Sequence, residues 1–175
     1  MNEILNALKE RRSCRKFKPD MVPKALIDQV IEAGLYAPSG RNGQDAIIIA
    51  VTDKEVRDRL SAANAKIAGM PEGADPFYGA PVVLIVLAEK NWPTYLYDGS
   101  LVMGNLMLAA DALGLGSCWI HRAKQEFETE EYQKLLTDLG VLGEYEGIGH
   151  CILGYPDMEK PAAPARKEGR VFYID

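Results

Sequence analysis

The chain has 175 residues, 47% hydrophobic and 26% charged, which suits one domain with a sizeable core and excludes a disordered chain. The formal net charge of −5 and the pI of about 5.2 argue against a general nucleic-acid binder. Cys14, Cys118 and Cys151 stand far apart without metal-ligand spacing, so we expect free thiols in a reducing, cytoplasmic compartment and no metal site.

The first half of the chain is predicted to alternate helices with turn-rich loops. Ile4, Leu5 and Leu8 mark a short amphipathic helix that Asn2 could cap, and Pro23 suits the first position of the next helix. The pattern predicts a short helix at about 4–8, a longer helix at 23–37 and a loop rich in helix-breaking residues, the breaker loop, at 37–44. A strand at 46–52, a helix at 53–68 and a loop at 69–80 follow.

The second half begins with PVVLIVLAE, whose apolar run without alternation is typical of a central strand covered on both faces. This strand is predicted at 81–89, followed by a long helix at 94–113 and a short strand at 117–120. An amphipathic helix at 125–139 and a strand at 147–155 come next. The chain then ends in a polar tail at 156–170 and an edge strand at 171–174. We therefore expect one domain over 1–175, with helices on both sides of a small mixed sheet.

Membrane and secretion signals are not expected in this chain. The most apolar stretch, at 99–110, is too short to span a bilayer as a helix, which takes about 20 residues. The N-terminus carries charges where a signal peptide needs an apolar run. We therefore expect a cytoplasmic protein without a membrane partner.

The segment 9–18 holds six of the twenty Lys and Arg residues, although the chain is acidic overall. In an extended segment Arg11, Ser13 and Arg15 would point the same way and could hold a phosphomonoester. The alternative is a solvated basic end of a helix. Cys14 is a second alternative, as a nucleophile with a lowered thiol pKa, but no histidine is near it in sequence, and strand alternation would turn it to the core.

Two further segments have the composition of ligand-binding or connecting loops. In APSGRNGQ, Ser39, Asn42 and Gln44 could hold a flat heteroaromatic ligand, or the segment could be a plain connector. LGLGSCWIHR follows a helix and opens a strand, so it is not a Rossmann fingerprint, and its Trp119 and His121 are more often packing residues. His150, in an apolar strand, is interpreted as a core histidine.

The tail segment PARKEGR carries Arg166, Lys167 and Arg170. By itself it is typical of a solvated, loosely held arm. Together with the N-terminal basic segment it could instead close a phosphate pocket from the far end of the chain.

In this order, RRSCRKF, APSGRNGQ, ALGLGSCWI, LGYP and the basic tail resemble the FMN-dependent nitroreductase family over nearly the whole chain. The resemblance implies an α+β fold, an α/β/α sandwich whose small mixed, mainly antiparallel sheet is flanked by helices. It also implies an intertwined homodimer with FMN at the subunit interface. The tail, 156–175, would then wrap the partner subunit.

The same resemblance implies a set of cofactor-binding residues. Arg11, Arg12, Ser13 and Arg15 would bind the FMN phosphate and ribityl chain, with Arg166 or Lys167 completing the phosphate site. The loop residues would line the flavin across the interface, namely Pro38, Ser39, Gly40, Asn42 and Gln44. The stretch that would lie against the isoalloxazine, with a backbone N–H facing N5, is Trp119, Ile120 and His121. The pyrimidine edge would be contacted by Asn64 and Lys66.

The chemistry expected from the resemblance belongs to FMN, so no side chain is assigned a catalytic role. NADH or NADPH would deliver hydride to flavin N5, and a nitroaromatic, quinone or similar electron-poor small molecule would then take the electrons in a ping-pong scheme. Three alternatives stay open: another acceptor such as an enoate, a halogenated aromatic or free flavin; a module that stores or senses FMN without turnover; and a docking face for an acidic partner.

One departure from the family pattern lies just after the breaker loop. Family members often read QPW there, whereas this chain reads Gln44–Asp45–Ala46. The chain is also short for the family, and 120–145 has little room for a substrate lid, so we expect an open, permissive site.

Overall fold

A four-stranded sheet forms the centre of the computed structural model, which describes residues 2–174. Its strands are β1 (Ala46–Val51), β2 (Val82–Glu89), β3 (Gly116–Ile120) and β4 (Tyr145–Gly154). Across the sheet they run in the order β1, β2, β4, β3, and each neighbouring pair is antiparallel. β2 and β4 are therefore central, and β1 and β3 form the two edges.

Within residues 2–174, six α-helices and one short 3-10 turn accompany the sheet. They span Glu3–Glu10 (α1), Lys24–Leu35 (α2), Lys54–Ile67 (α3), Tyr95–Ala112 (α4), Ala123–Phe127 (α5) and Glu130–Asp138 (α6), with the 3-10 turn at Gly40–Asn42. Side-chain caps explain two of the starts. Asn2 Oδ1 accepts from the backbone N–H of Ile4 and Leu5 at 3.0 and 3.2 Å, and Asp53 Oδ1 accepts from Val56 N–H at 2.9 Å.

The core lies on both faces of the sheet, because β2 is apolar on both faces. Val83, Ile85 and Leu87 belong to a cluster with residues of α3, α5 and α6. Val82, Leu84 and Val86 belong to a second cluster with residues of α2 and α4. This period-two division produces the helix–sheet–helix layers. The predictions of an α+β sandwich and of a central buried strand are confirmed.

The structure corrects three predictions from the sequence. The amphipathic helix expected over 125–139 is two helices, α5 and α6, with Thr129 in extended conformation between them and its hydroxyl donating to Glu126 O at 2.7 Å. Among residues 2–174, all strand pairs are antiparallel, and the parallel component of the expected mixed sheet is a single bridge between Ser13 and Ser117. Residues 171–174 form no strand in this chain.

The C-terminal tail is exposed along its described length. Val171, Phe172, Tyr173 and Ile174 are each at least 68% exposed, which leaves four large apolar side chains without a neighbouring strand. Asp175, the last residue of the predicted tail, lies outside the described residues. Within 2–174, no helix combines the length and apolarity that crossing a bilayer requires.

Candidate functional site

The basic segment 13–18 contacts the free edge of β3 at its start and the residues that follow β4 at its end. Cys14 N–H donates to Ser117 O at 2.9 Å, and Lys18 N–H donates to Tyr155 O at 2.9 Å. The parallel bridge between Ser13 and Ser117 lies at the start of this path. The extended conformation expected for the proposed phosphate-binding segment is therefore present.

Arg11 and Arg12 each bury part of their guanidinium group without satisfying all of its hydrogen-bond donors. Arg11 Nη1 and Arg12 Nε are buried and have no hydrogen-bond partner among the described residues. Arg12 Nη1 does donate to the carbonyl oxygens of Lys9 and Arg11, at 2.7 and 2.6 Å, at the end of α1. A buried donor without an acceptor costs free energy, and an anion beside Ser13 would supply the missing acceptor. These residues fit a phosphate group.

Arg15 and Cys14 differ in environment although they are adjacent. Arg15 is exposed, so its guanidinium is available to a ligand. Cys14 is buried against Gly116 and its thiol donates to Lys16 O at 3.1 Å. Burial raises the pKa of the Cys14 thiol above its ordinary value, and the nearby Cys118 raises it further. This environment opposes the alternative of a nucleophilic Cys14.

The end of β3 presents an aromatic surface. The Trp119 indole lies over β4 at Gly149, where an added Cβ would come within 2.2 Å of Trp119 Nε1. The rings of Trp119 and His121 are 5.9 Å apart and tilted by 32°. Ile120 is buried, whereas His121 is exposed. The three residues predicted to lie against a flavin therefore divide into a packed indole, a core side chain and an exposed imidazole.

Asn64 lies beneath this surface and is fully buried. Its Nδ2 donates to His121 O at 2.7 Å and to Glu126 Oε1 at 2.9 Å. Glu126 Oε2 and His150 Nε2 share a hydrogen bond of 2.5 Å, with both side chains fully buried. Lys66 is exposed at the wall of a pocket formed by α3 and the following loop.

The loop 38–44 is held by hydrogen bonds to α4 and the segment before it. Gly40 N–H donates to Asp98 Oδ1 at 3.1 Å, and Gly40 O accepts from Trp92 Nε1 at 3.1 Å. Ser39 Oγ accepts from Gln44 N–H at 3.0 Å, and Gln44 Nε2 donates to Asn42 Oδ1 at 3.3 Å. The loop is therefore a defined structure before any ligand is considered. Pro38 lines a small pocket next to it.

Backbone conformation in this loop is unusual. Arg41, Asn42 and Gln44 have φ angles of 52°, 56° and 49°, the left-handed region that costs free energy for residues other than glycine. Gly40 is required for a different reason, because an added Cβ would come within 2.2 Å of Thr94 Oγ1. Such strain is concentrated at functional sites more often than elsewhere.

Asp45 stands where family members often have proline, and its carboxylate is buried. Both of its oxygens lack a hydrogen-bond partner among the described residues. Burial raises the pKa of Asp45, and the neighbouring carboxylates of Asp98 and Glu89 raise it further. Asp98 is itself buried and accepts from Thr94 Oγ1 at 2.6 Å. The departure from QPW therefore places the carboxylate of Asp45 beside that of Asp98 beneath the loop.

One chain brings together only part of the predicted site. Ser13 bridges the start of β3 at Ser117, Trp119 to His121 and Asn64 lie at the other end of the same strand, and the loop 38–44 precedes β1 at the opposite edge of the sheet. Three strand spacings separate those edges, or about 14 Å. Arg166 and Lys167 lie in the exposed tail, where the Arg166 guanidinium donates to Pro164 O at 3.2 and 2.8 Å.

Two features of this region were not predicted from the sequence. Arg122 has a φ of 83°, which the sequence does not signal because the residue is not glycine or asparagine. Glu126 is fully buried, although charged residues in an amphipathic helix normally face solvent. The sequence offers no local signal for the burial of Glu126, because the helix break beside it is not visible there either.

Comparison with known proteins agrees with the resemblance noted from the motifs. The model of the Nitroreductase family matches residues 8–167. A protein from Archaeoglobus fulgidus, provisionally named an NADH dehydrogenase/NAD(P)H nitroreductase, is 31% identical over 166 residues, covering 91% of this chain and 89% of that protein. An iodotyrosine deiodinase from Thermotoga neapolitana is 28% identical over 182 residues, covering 94% of each.

The fold agrees as well. The crystal structure of a nitroreductase with bound FMN from Bacteroides fragilis superposes with a TM-score of 0.87 at 29% identity, and the match covers 100% of both chains. Sequence motifs, fold and family model therefore coincide over the same residues. This chain belongs to the Nitroreductase family.

Proposed function

We propose that this chain is an FMN-dependent oxidoreductase that takes hydride from NADH or NADPH and reduces a nitroaromatic, quinone or similar electron-poor small molecule. The observation that carries the proposal is the pair of buried, unpaired nitrogens of Arg11 and Arg12 beside Ser13. Buried guanidinium donors without partners call for an acceptor, and the phosphate of FMN would supply a strong, charged one. The FMN bound in the Bacteroides fragilis relative supports the same cofactor.

FMN, when bound, supplies the hydride and electron transfer, and the chain supplies position and polarity. Arg11, Arg12, Ser13 and Arg15 hold the phosphate and ribityl chain at the edge of β3. Arg166 or Lys167 completes the phosphate site from the tail. Trp119 to His121 form the surface for the ring, and Lys66 lies toward its pyrimidine edge.

A homodimer is part of the proposal because one chain does not complete the site. The loop 38–44 lies at the edge of the sheet opposite to segment 11–15, so it would line the flavin of the partner subunit. Large apolar side chains are exposed on α1, on α4 and in the tail and would be covered in such a dimer, namely Ile4, Leu5, Leu8, Leu96, Leu101, Phe172 and Ile174.

In the proposed ping-pong scheme, NAD(P)H and the acceptor use the same space in turn. No side chain is required as acid or base. His121, the exposed imidazole at this surface, would contact substrates without a proton-transfer role. The absence of a long insertion between β3 and β4 supports an open site for varied acceptors.

A halogenated aromatic is the second candidate acceptor. The Thermotoga neapolitana relative that covers 94% of this chain is named an iodotyrosine deiodinase. An FMN-storing or sensing module without turnover is the non-enzymatic alternative, and its FMN site would be the same.

Anaerobic rapid mixing tests the proposal and separates the candidates. The FMN-loaded protein is mixed with NADH or NADPH, and loss of the visible absorbance of the oxidised flavin is followed in time. The reduced protein is then mixed with nitrobenzene, a benzoquinone or iodotyrosine. Rapid bleaching followed by recovery with the nitroaromatic or quinone supports the proposal. Recovery with iodotyrosine alone supports the deiodinase candidate, and no bleaching with either nucleotide supports the binding module.

A further inference from the structure

The peptide that joins His121 to Arg122 is fixed from below by a buried side chain. Asn64 Nδ2 donates to His121 O at 2.7 Å, so this carbonyl points into the core between α3 and β3. No peptide bond among residues 2–174 is cis. In a trans peptide the following N–H points opposite to the carbonyl, so the Arg122 N–H is directed away from Asn64.

The Arg122 backbone N–H donates to no acceptor among residues 2–174. Arg122 reaches this orientation at a φ of 83°, an uncommon conformation for arginine, and then starts α5. A strained residue that presents a free backbone donor next to Trp119 and His121 is typical of a ligand-binding position.

Asn64 is itself held by two further buried groups. Its Nδ2 also donates to Glu126 Oε1 at 2.9 Å, and Glu126 Oε2 is 2.5 Å from His150 Nε2. The Phe77 ring packs edge-on against the His150 imidazole, with centroids 5.3 Å apart. α3, α5 and β4 each contribute one member of the network, so the position of Asn64 is determined by three elements.

The network is not one that stability alone would select. Asn64 Oδ1 and His150 Nδ1 are buried without a hydrogen-bond partner among the described residues. An apolar set of similar volume would avoid these costs, since buried charged or polar groups are often replaced by hydrophobic ones without loss of stability. Its retention is explained if it controls the geometry of the adjoining peptide.

We propose that Asn64, braced by the Glu126–His150 pair, is a positioning residue that holds the Arg122 backbone N–H toward the flavin ring. The inference rests on the proposed function, because it assigns a role at the same FMN site. This role of Asn64 acts through the 121–122 peptide, and the contact with the pyrimidine edge that the resemblance implies stays a prediction. A donor that met flavin N5, which accepts a hydrogen bond only in the oxidised ring, would favour the oxidised form.

The test compares Asn64→Leu with Ser61→Ala. Ser61 lies one turn earlier on α3, is also buried, and donates to Asp75 Oδ1 at 2.6 Å, away from the 121–122 peptide. Both substitutions remove a buried hydrogen bond from the same helix, so both should lower the thermal midpoint. Only Asn64→Leu should move the midpoint potential of bound FMN to a more positive value. It should also weaken FMN and riboflavin alike, by about fivefold, since the ring is common to both.

Two further measurements keep the proposal testable if Asn64→Leu does not fold. Glu126→Gln removes the negative charge that faces His150 in the brace of Asn64, so it should move the midpoint potential in the same direction as Asn64→Leu, by a smaller amount. In the wild-type protein, amide hydrogen exchange at Arg122 should slow by about tenfold or more when FMN binds. Unchanged exchange at Arg122 in the FMN-bound protein would overturn the proposal.

The outcomes separate this inference from the proposed function. If wild-type protein binds FMN and is reduced by NAD(P)H, but Asn64→Leu and Ser61→Ala have the same potential and flavin affinity, the positioning role is wrong and the proposed function stands. If wild-type protein does not bind FMN, both are overturned.

Discussion

Arg11 and Arg12 differ from the other cations of their segment in having buried nitrogens without partners. Lys16, in contrast, pairs with Asp157 at 2.8 Å on the surface, where such a pair contributes at most about 1 kcal/mol. The structure supports the helix-end interpretation for one nitrogen of Arg12, and phosphate binding by this segment stays a prediction. Arg12 Nη1 does bond the end of α1, while the remaining guanidinium donors of both arginines suit an anion.

The first prediction concerns the phosphate contact. Arg11→Ala should weaken FMN binding by ~1.5–3 kcal/mol, the usual contribution of a charge-assisted hydrogen bond. Riboflavin affinity should hardly change, because riboflavin lacks the phosphate. Isothermal titration of both ligands measures the difference, with Arg59→Ala, an exposed arginine of α3, as the matched control. Equal losses for FMN and riboflavin would refute the phosphate assignment.

The second prediction concerns the buried acid beside the loop. Burial, with Asp98 and Glu89 nearby, raises the pKa of Asp45 above 3.8. An acid whose pKa is raised by folding adds stability that is fully present below its unfolded pKa and is lost as the pH rises through its folded pKa. Asp45→Asn should therefore increase the free energy of unfolding at pH 7 by about 1 kcal/mol.

Urea unfolding of the FMN-free protein across a pH series measures this effect. The gain from Asp45→Asn should shrink as the pH falls toward 3.8, the ordinary value for aspartate. Asp20→Asn, at an exposed position, should change the free energy of unfolding little at any pH. A loss of stability at pH 7 in Asp45→Asn would show that the carboxylate has a stabilising partner.

Secondary-structure elements were predictable where one local pattern determined them. The apolar run of β2 indicated a strand covered on both faces, and it is buried on both. The break between α5 and α6 was missed because no glycine or proline marks it, and Tyr132 and Leu136 continue the apolar pattern beyond it at helical spacing. The left-handed residues of the loop 38–44 could not be predicted either, because their conformation depends on contacts with α4 and Trp92.

The third prediction concerns that loop. Gly40→Ala should destabilise the protein by about 1–3 kcal/mol, because the new Cβ would overlap Thr94 Oγ1 and overpacking has this cost. A double-mutant cycle identifies the cause. Thr94→Ala removes the overlapping atoms, so Gly40→Ala should cost much less in that background. Additive losses in chemical denaturation would place the strain elsewhere.

At the level of the assembled chain, the order of motifs predicted the family, but the site depends on contacts between distant residues. Asn64, Glu126 and His150 come from three elements, and nothing in their spacing along the sequence indicates that they meet. The separation of the loop 38–44 from segment 11–15 likewise follows from strand order, β1 and β3 being opposite edges. A single sequence carries no local signal for either arrangement.

The fourth prediction concerns the tail. Residues 162–174 are exposed in the single chain, so a chain ending at Pro161 should retain its far-UV circular dichroism. It should lose the proposed homodimer and bind FMN at least about tenfold more weakly, because it lacks both the apolar end and Arg166 and Lys167. Sedimentation velocity and FMN titration measure the two effects.

A full-length control separates the tail's two roles. Arg166→Ala with Lys167→Ala should weaken FMN binding and leave the sedimentation coefficient unchanged. A truncated chain that sediments and binds FMN like the full-length protein would exclude the tail from both roles.

The central claim is that segment 11–15 forms the phosphate end of an FMN site, and FMN titration of the flavin-free wild-type protein tests it most directly. Flavin fluorescence and absorbance should report one FMN per chain, bound roughly 10–100-fold more tightly than riboflavin, as expected for several charge-assisted contacts to phosphate. Bound FMN should give a yellow protein that NADH or NADPH bleaches without oxygen. A colourless protein that takes up no added FMN, or that binds riboflavin equally well, would contradict the claim.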